Sequence, residues 1–176
     1  MIRRLGSLAG KRIVFGYDRY LSPDLDAYRD ALSGHSADVV ENVDESRLHY
    51  LSSAELVCKA VQADPEESFG ILCCGTGMGM SIAANKFRGI YAARCMSVED
   101  AEAARSINNA NVLCIAAKQG LVLNRAIIDA FVGTPYTGRK LEELMYITQL
   151  EGTAAILPLD AELRTVGGLG DQRRTA

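Results

Sequence analysis

The sequence has no tryptophan, only two histidines and only four prolines. His35 and His49 lie far apart, and none of the five cysteines forms a C-x-x-C pair, so neither a zinc site nor a dithiol redox motif is expected. No apolar run approaches the roughly 18 residues that would cross a bilayer, which excludes a membrane-spanning helix. Charge of neither sign dominates: 19 lysines and arginines meet 22 acids, for a net charge of −3. Nucleic acid and anionic membrane surfaces usually require a clustered basic face, so neither is an expected partner. The opening Met1–Gly10 is basic and mildly apolar without the sustained core of a signal peptide, and the expected compartment is the cytoplasm.

What is present suits an ordinary globular chain: 48% apolar and 23% charged residues over 176 positions. A chain of that length fits one domain that buries roughly 70% of its unfolded surface. Cys58, Cys73, Cys74, Cys95 and Cys114 are odd in number, and most lie in apolar stretches. They read as reduced thiols.

Short β-prone runs alternate with helical patterns. Strands are expected at 12–16, 38–41, 69–74, 90–94 and 111–116. Helices are expected from Pro23 to Leu32 with Ser22 as N-cap, from a Ser52–Glu55 capping box to about Ala63, and after the third strand through Lys86. Further helices are expected at 98–106, 121–132 and 138–150. This alternation predicts an α/β fold: a three-layer sandwich with a five-stranded parallel sheet, helices on both faces and right-handed crossovers. The domain is expected to span 1–150. In the extension 151–176, Ala154–Leu159 is apolar enough to pack on a neighbour, whereas Gly167–Ala176 is expected to be disordered.

The stretch Cys74-Gly-Thr-Gly-Met-Gly-Met-Ser81 follows the continuously apolar third strand. Ligands of open parallel sheets bind beyond the strands' carboxyl ends, where strand order reverses. Glycines there let backbone amides converge on a ligand oxygen, and the following helix presents its positive end. A thiol at that point is favoured as thiolate. Cys73, one residue earlier, points to the opposite face and reads as a small buried hydrophobe. A dinucleotide site fits less well. The glycines are spaced G-x-G-x-G, the turn follows the third strand rather than the first, and the next strand ends in Arg94 rather than a ribose-binding acid. A Walker lysine is also missing.

Gly70-Ile-Leu-Cys-Cys-Gly-Thr-Gly-Met-Gly-Met-Ser-Ile-Ala-Ala-Asn-Lys86 resembles the signature of the ribose-5-phosphate isomerase B / galactose-6-phosphate isomerase family. Asn108-Asn-Ala-Asn-Val-Leu113 resembles its second motif and Phe15-Gly-Tyr-Asp18 its first, so the likeness runs from about Lys11 to Leu150. The resemblance implies a Rossmann-like sheet in a homodimer or homotetramer with sites between subunits. It also implies a sugar-phosphate substrate, aldose–ketose isomerisation, and neither metal nor cofactor. It makes Cys74 the base that moves a proton between C1 and C2, with Asp18 handling hydroxyl protons. Thr76 and the amides of Gly75, Gly77, Met78 and Gly79 would hold the cis-enediolate. Asn108 would bind sugar oxygens. For Ser81 and Asn85, substrate contact and helix capping or packing both stay open.

The phosphate-binding pattern departs from the family. Arg19 stands where histidine is expected, Lys118 replaces an arginine and loses its bidentate fork, Arg139 matches the first C-terminal arginine, and Glu143 falls where a second is expected. Each of these charges could equally be a solvated surface residue. Ile107 occupies the place of the ring-opening histidine and cannot protonate a ring oxygen. The leading expectation is therefore an isomerase of an open-chain, tetrose/tetrulose-type phosphate. The alternatives are the cysteine-bearing subunit of a hetero-oligomer whose partner supplies the missing groups, or a non-catalytic sugar-phosphate-binding protein.

Overall fold

The computed structural model describes residues 5–44, 46 and 48–151, with Ser22 described by its backbone alone. The expectations for Ala154–Leu159 and Gly167–Ala176 lie outside these residues. Five strands alternate with helices: β1 Arg12–Tyr17, α1 Leu25–Ser33, β2 Val39–Glu41, α2 Tyr50–Ala63, β3 Ser68–Cys74, α3 Met78–Ala84, β4 Ala92–Arg94, α4 Val98–Ser106, β5 Val112–Ala116, α5 Leu121–Gly133 and α6 Leu141–Leu150. Short 3-10 helices occupy Arg19–Asp24 and Ala117–Gln119. The sheet is wholly parallel, in the order β2-β1-β3-β5-β4. Among the described residues no helix is long and apolar enough to cross a membrane.

The pleat divides the core into two layers, because successive side chains leave a strand on opposite faces. Ile13, Phe15, Phe69, Ile71, Cys73, Leu113 and Ile115 pack with residues of α1, α4 and α5. Val14, Leu72, Cys74, Val112 and Cys114 pack with α2 and α3. The helix α2 lies close because two strand positions beneath it are glycine: a Cβ on Gly16 or Gly70 would meet Val57 at 2.6 or 2.8 Å. Such strand glycines mark a close approach.

Two expected helix starts are displaced, one by a local turn and one where a long-range contact draws off the capping side chain. No α-helix opens at Pro23. Asp18 accepts the Tyr20 amide and starts a 3-10 helix that runs through Pro23, and α1 begins only at Leu25. The Ser52–Glu55 capping box does not open α2 either. His49 caps it by accepting the Leu51 amide, while the Ser53 hydroxyl donates to the Tyr17 carbonyl at 2.6 Å. The fourth strand is shorter than expected, and α6 starts at Leu141 after Lys140 at φ +57°.

Candidate functional site

The chain leaves β1 for β2 on one side of the sheet and leaves β3 toward β4 and β5 on the other, so strand order reverses between β1 and β3. Their carboxyl ends carry Asp18 and Cys74. The Asp18 amide donates to the Cys73 carbonyl at 3.2 Å, which holds the end of β1 against the last turn of β3. Asp18, Cys74, Gly75, Thr76, Gly79 and Lys118 line a pocket of about 220 Å³ with Tyr20 and Tyr50.

Cys74 is 5% exposed and leaves the sheet on the α2/α3 side. The Gly77 amide donates to its Sγ at 3.2 Å. Gly77 makes this possible by adopting φ +71°, a left-handed conformation that any side chain would strain. The remaining thiols lie sealed in the core, where burial pushes Cys58 and Cys95 up to about 12 and Cys73 and Cys114 also upward. Cys73 faces the opposite layer, as its strand position dictates.

Burial also raises the Asp18 carboxyl, against the pull of the Tyr20 and Gly75 amides and of Arg19 and His49. A folded-state value above the ordinary one means that the carboxyl's stabilising contribution is complete only while it is protonated. That contribution is lost as the pH climbs through the shifted value, so at neutral pH the buried charge costs stability. Asp18→Asn keeps an oxygen for the Tyr20 amide and removes the charge. It should raise Tm at pH 7. The gain should vanish below about pH 4, where wild-type Asp18 is itself neutral. Melting curves across that range check it; a variant that is less stable at pH 7 would refute the burial argument.

Several turn amides expected to face a ligand are engaged within the protein: Gly75 serves Asp18, Gly77 serves Cys74, and the Met78 amide lies 3.4 Å from Thr76 Oγ1. Lys118 joins the wall because its amide donates to the Gly75 carbonyl at 3.4 Å. Arg19 instead stands exposed, with its guanidinium 5.8 Å from the Tyr20 ring centroid. Ser81 is half-buried within α3. The Asn85 side chain bridges the Ser81 carbonyl and the Ala92 amide and carbonyl, which is a packing role. Asn108 and Arg139 are exposed and do not line the pocket. Ile107 caps the end of α4 beside Asn108. Glu143 pairs with Lys140 at 3.1 Å.

The sequence reading missed Tyr20, Tyr50 and Arg94. The Tyr50 ring rests against Gly79, where a Cβ would come within 2.7 Å of it, and Tyr20 covers Gly75 in the same way at 3.3 Å. Arg94 Nε donates to the Thr76 carbonyl at 2.7 Å. Only the two missing Cβ atoms in the glycine turn hinted that bulky neighbours approach it.

A doubly wound parallel sheet with a thiol and a carboxyl meeting at its switch point defines an open α/β protein with a small-molecule site. Residues 17–147 match the family model described as Ribose/Galactose Isomerase, and the chain belongs to that family. It is 41% identical over 105 residues to ribose-5-phosphate isomerase B of Escherichia coli, covering 58% of this chain and 68% of that protein. It is 40% identical over 93 residues to D-erythrulose-4-phosphate isomerase of Pectobacterium atrosepticum, covering 50% of this chain and 61% of that protein. The matched stretch spans about a third to two thirds of the lengths of the curated relatives. Among solved structures, type B ribose 5-phosphate isomerase of Leishmania infantum superposes with a TM-score of 0.74 at 36% identity, covering 81% of this chain and 97% of that one.

Proposed function

We propose that this chain interconverts the aldose and ketose forms of a short, open-chain sugar phosphate, with Cys74 as the base. The observation that carries the reading is the convergence of the Cys74 thiol and the Asp18 carboxyl on one small pocket, in a chain of this family. Cys74 as thiolate takes the C2 proton of the aldose, and the electron pair moves to form the C1=C2 bond with charge on O1. Asp18 takes the proton on O2 and delivers it to O1, so that the charge passes to O2. The Cys74 thiol then returns its proton to C1, the O2 charge collapses to the carbonyl, and both side chains end as they began. The raised Asp18 carboxyl suits this shuttle, because an acid that protonates nearer neutrality gives up and regains a proton more readily. Thr76 and Gly79, both on the pocket wall, are the groups assigned to the intermediate's oxyanion.

Three features favour a four-carbon substrate. The pocket is smaller than the roughly 300–1,000 Å³ usual for drug-sized ligands. Tyr20 and Tyr50 narrow it. Ile107 replaces a ring-opening histidine, which a substrate too short to close a ring through its phosphate-bearing carbon does not need. The name of the Pectobacterium relative is of the same kind. Lys118, a cation on the pocket wall, is assigned to the phosphate. Asn108 and Arg139 lie outside the pocket, and a second copy of the chain is the source we assign for them.

The test is turnover of the purified single chain on erythrose and erythrulose 4-phosphates beside ribose 5-phosphate. The expected result is a kcat/KM at least about tenfold higher on the four-carbon pair, the scale of a binding difference of 1.4 kcal/mol. Preference for ribose 5-phosphate overturns the substrate assignment. A chain inactive on all of them until a second subunit type is added overturns the homomeric reading.

A further inference from the structure

We propose that Arg94 is a positioning residue that sets the thiolate character of Cys74 through a single peptide unit. The residue that counted against a dinucleotide site at the sequence level turns out to be tied to the glycine turn. Its Nε donates to the Thr76 carbonyl at 2.7 Å, and the amide on the other end of that same peptide, that of Gly77, donates to Cys74 Sγ at 3.2 Å.

The Thr76–Gly77 peptide is planar, with its C=O and N–H directed to opposite sides, so the two hydrogen bonds polarise one group in the same sense. A charged donor on the carbonyl oxygen draws electron density from the amide nitrogen. That makes its N–H a stronger donor to sulfur, the cooperative strengthening of linked hydrogen bonds. The packing fixes this line. Gly77 sits at φ +71°, and a Cβ there would meet the Ile115 carbonyl group at 3.2 Å and Arg94 Cγ at 3.4 Å. The turn is therefore clamped between β5 and the stem of the arginine that donates to it. Arg94 comes from β4, whose last residue pairs with Cys114, so its position is set by the sheet rather than by the turn.

Other titratable groups lie around the thiol: Asp18 after β1, Tyr50 on α2 and Lys118 after β5 share its pocket, Cys114 shares its layer of the core, and Cys73 adjoins it from the opposite face of the sheet. All of them are unchanged in an Arg94 variant, which isolates the peptide link.

The inference gains its importance for turnover from the reading of Cys74 as base, but its test does not depend on it. The full chain is alkylated with iodoacetamide across a pH series and the product read by mass spectrometry, with Cys74→Ser as blank. In Arg94→Met the midpoint of the alkylation curve should move to higher pH and the rate at pH 7 should fall about three- to tenfold. The plateau at high pH should stay unchanged. Arg94→Lys restores a cation without the Nε bond and should recover only part of the loss. Arg94→Gln provides the same comparison should the methionine variant fold poorly. An unchanged midpoint overturns the proposal, as does a lowered plateau with the midpoint unmoved, which marks a purely structural role. Full recovery in Arg94→Lys overturns the peptide link in favour of charge alone. If Cys74→Ser retained turnover, the base assignment would fall while the alkylation shift stood or failed by itself.

Discussion

Replacing Cys74 with serine should leave a folded protein whose turnover is lower by about 100-fold or more, the scale of losing a general base. The exchange is nearly isosteric, and a serine oxygen still accepts from the Gly77 amide that now donates to Sγ at 3.2 Å. The packing of β3 against α2 and α3 is therefore kept, and Tm should change little. The chemistry is not kept, because a hydroxyl holds its proton far too tightly to act as a base at neutral pH without help. The matching control is one residue away. Cys73→Ser puts a hydroxyl into the opposite, fully buried layer, so it should lower Tm while leaving kcat near the wild-type value. The pair separates chemistry from packing on a single strand. Turnover close to wild type in Cys74→Ser, with substrate saturating, would exclude the thiolate mechanism.

The features legible in the sequence were those encoded locally. Continuous apolar runs marked β3 and β5, because strands covered on both faces need no polar alternation. The bounds of α4 matched the expected 98–106. Ser97 accepts the Asp100 amide at one end, and the chain turns through Asn109 at φ +50° beyond the other, both signals carried within a few residues. Cys74 and the glycine turn could be placed because ligands of open parallel sheets bind beyond the strands' carboxyl ends, whereas Asp18 was legible only through the resemblance of Phe15–Asp18 to the family's first motif. Apart from the local Asp18–Tyr20 turn that delays α1, what failed was decided across the fold. The local capping box at Ser52–Glu55 was a sound signal, but the Ser53 hydroxyl is drawn to the Tyr17 carbonyl and α2 extends back to bring Tyr50 onto Gly79. Tyr20, Tyr50 and Arg94 gave no periodic signal, since each matters through what it reaches in space. Lys118 entered the pocket and Arg139 did not, although both read alike as exposed cations.

Arg105 makes the same point with the largest expected effect on stability. In the sequence it is one more charge in an alanine-rich helix; in the structure it is 1% exposed and among the largest fully buried side chains. Its guanidinium donates to Asn109 Oδ1 at 2.9 Å, to the Ala110 carbonyl at 2.5 Å and to the Gly6 carbonyl at 3.3 Å, and lies 5.8 Å from the Phe131 ring centroid. One side chain thus joins the left-handed turn after α4, the segment that pairs Gly6 with Tyr136, and α5. Only a planar fork with several donors can serve three acceptors in different directions. Arg105→Met fills much of the same volume but leaves these acceptors without their buried donor. The expected cost is about 2–4 kcal/mol. In a chain of this length that lowers Tm by roughly 5–15 °C. Arg105→Lys keeps the charge on a single point donor and should fall between the two. Because Asn108 sits on the turn that Arg105 holds, KM for the four-carbon phosphate should rise in both variants more than kcat falls. Thermal unfolding followed by circular dichroism, with steady-state kinetics well below each variant's Tm, reads both effects. A methionine variant melting within about 2 °C of wild type, less than 1 kcal/mol, would show that the three segments are held together by something other than this arginine.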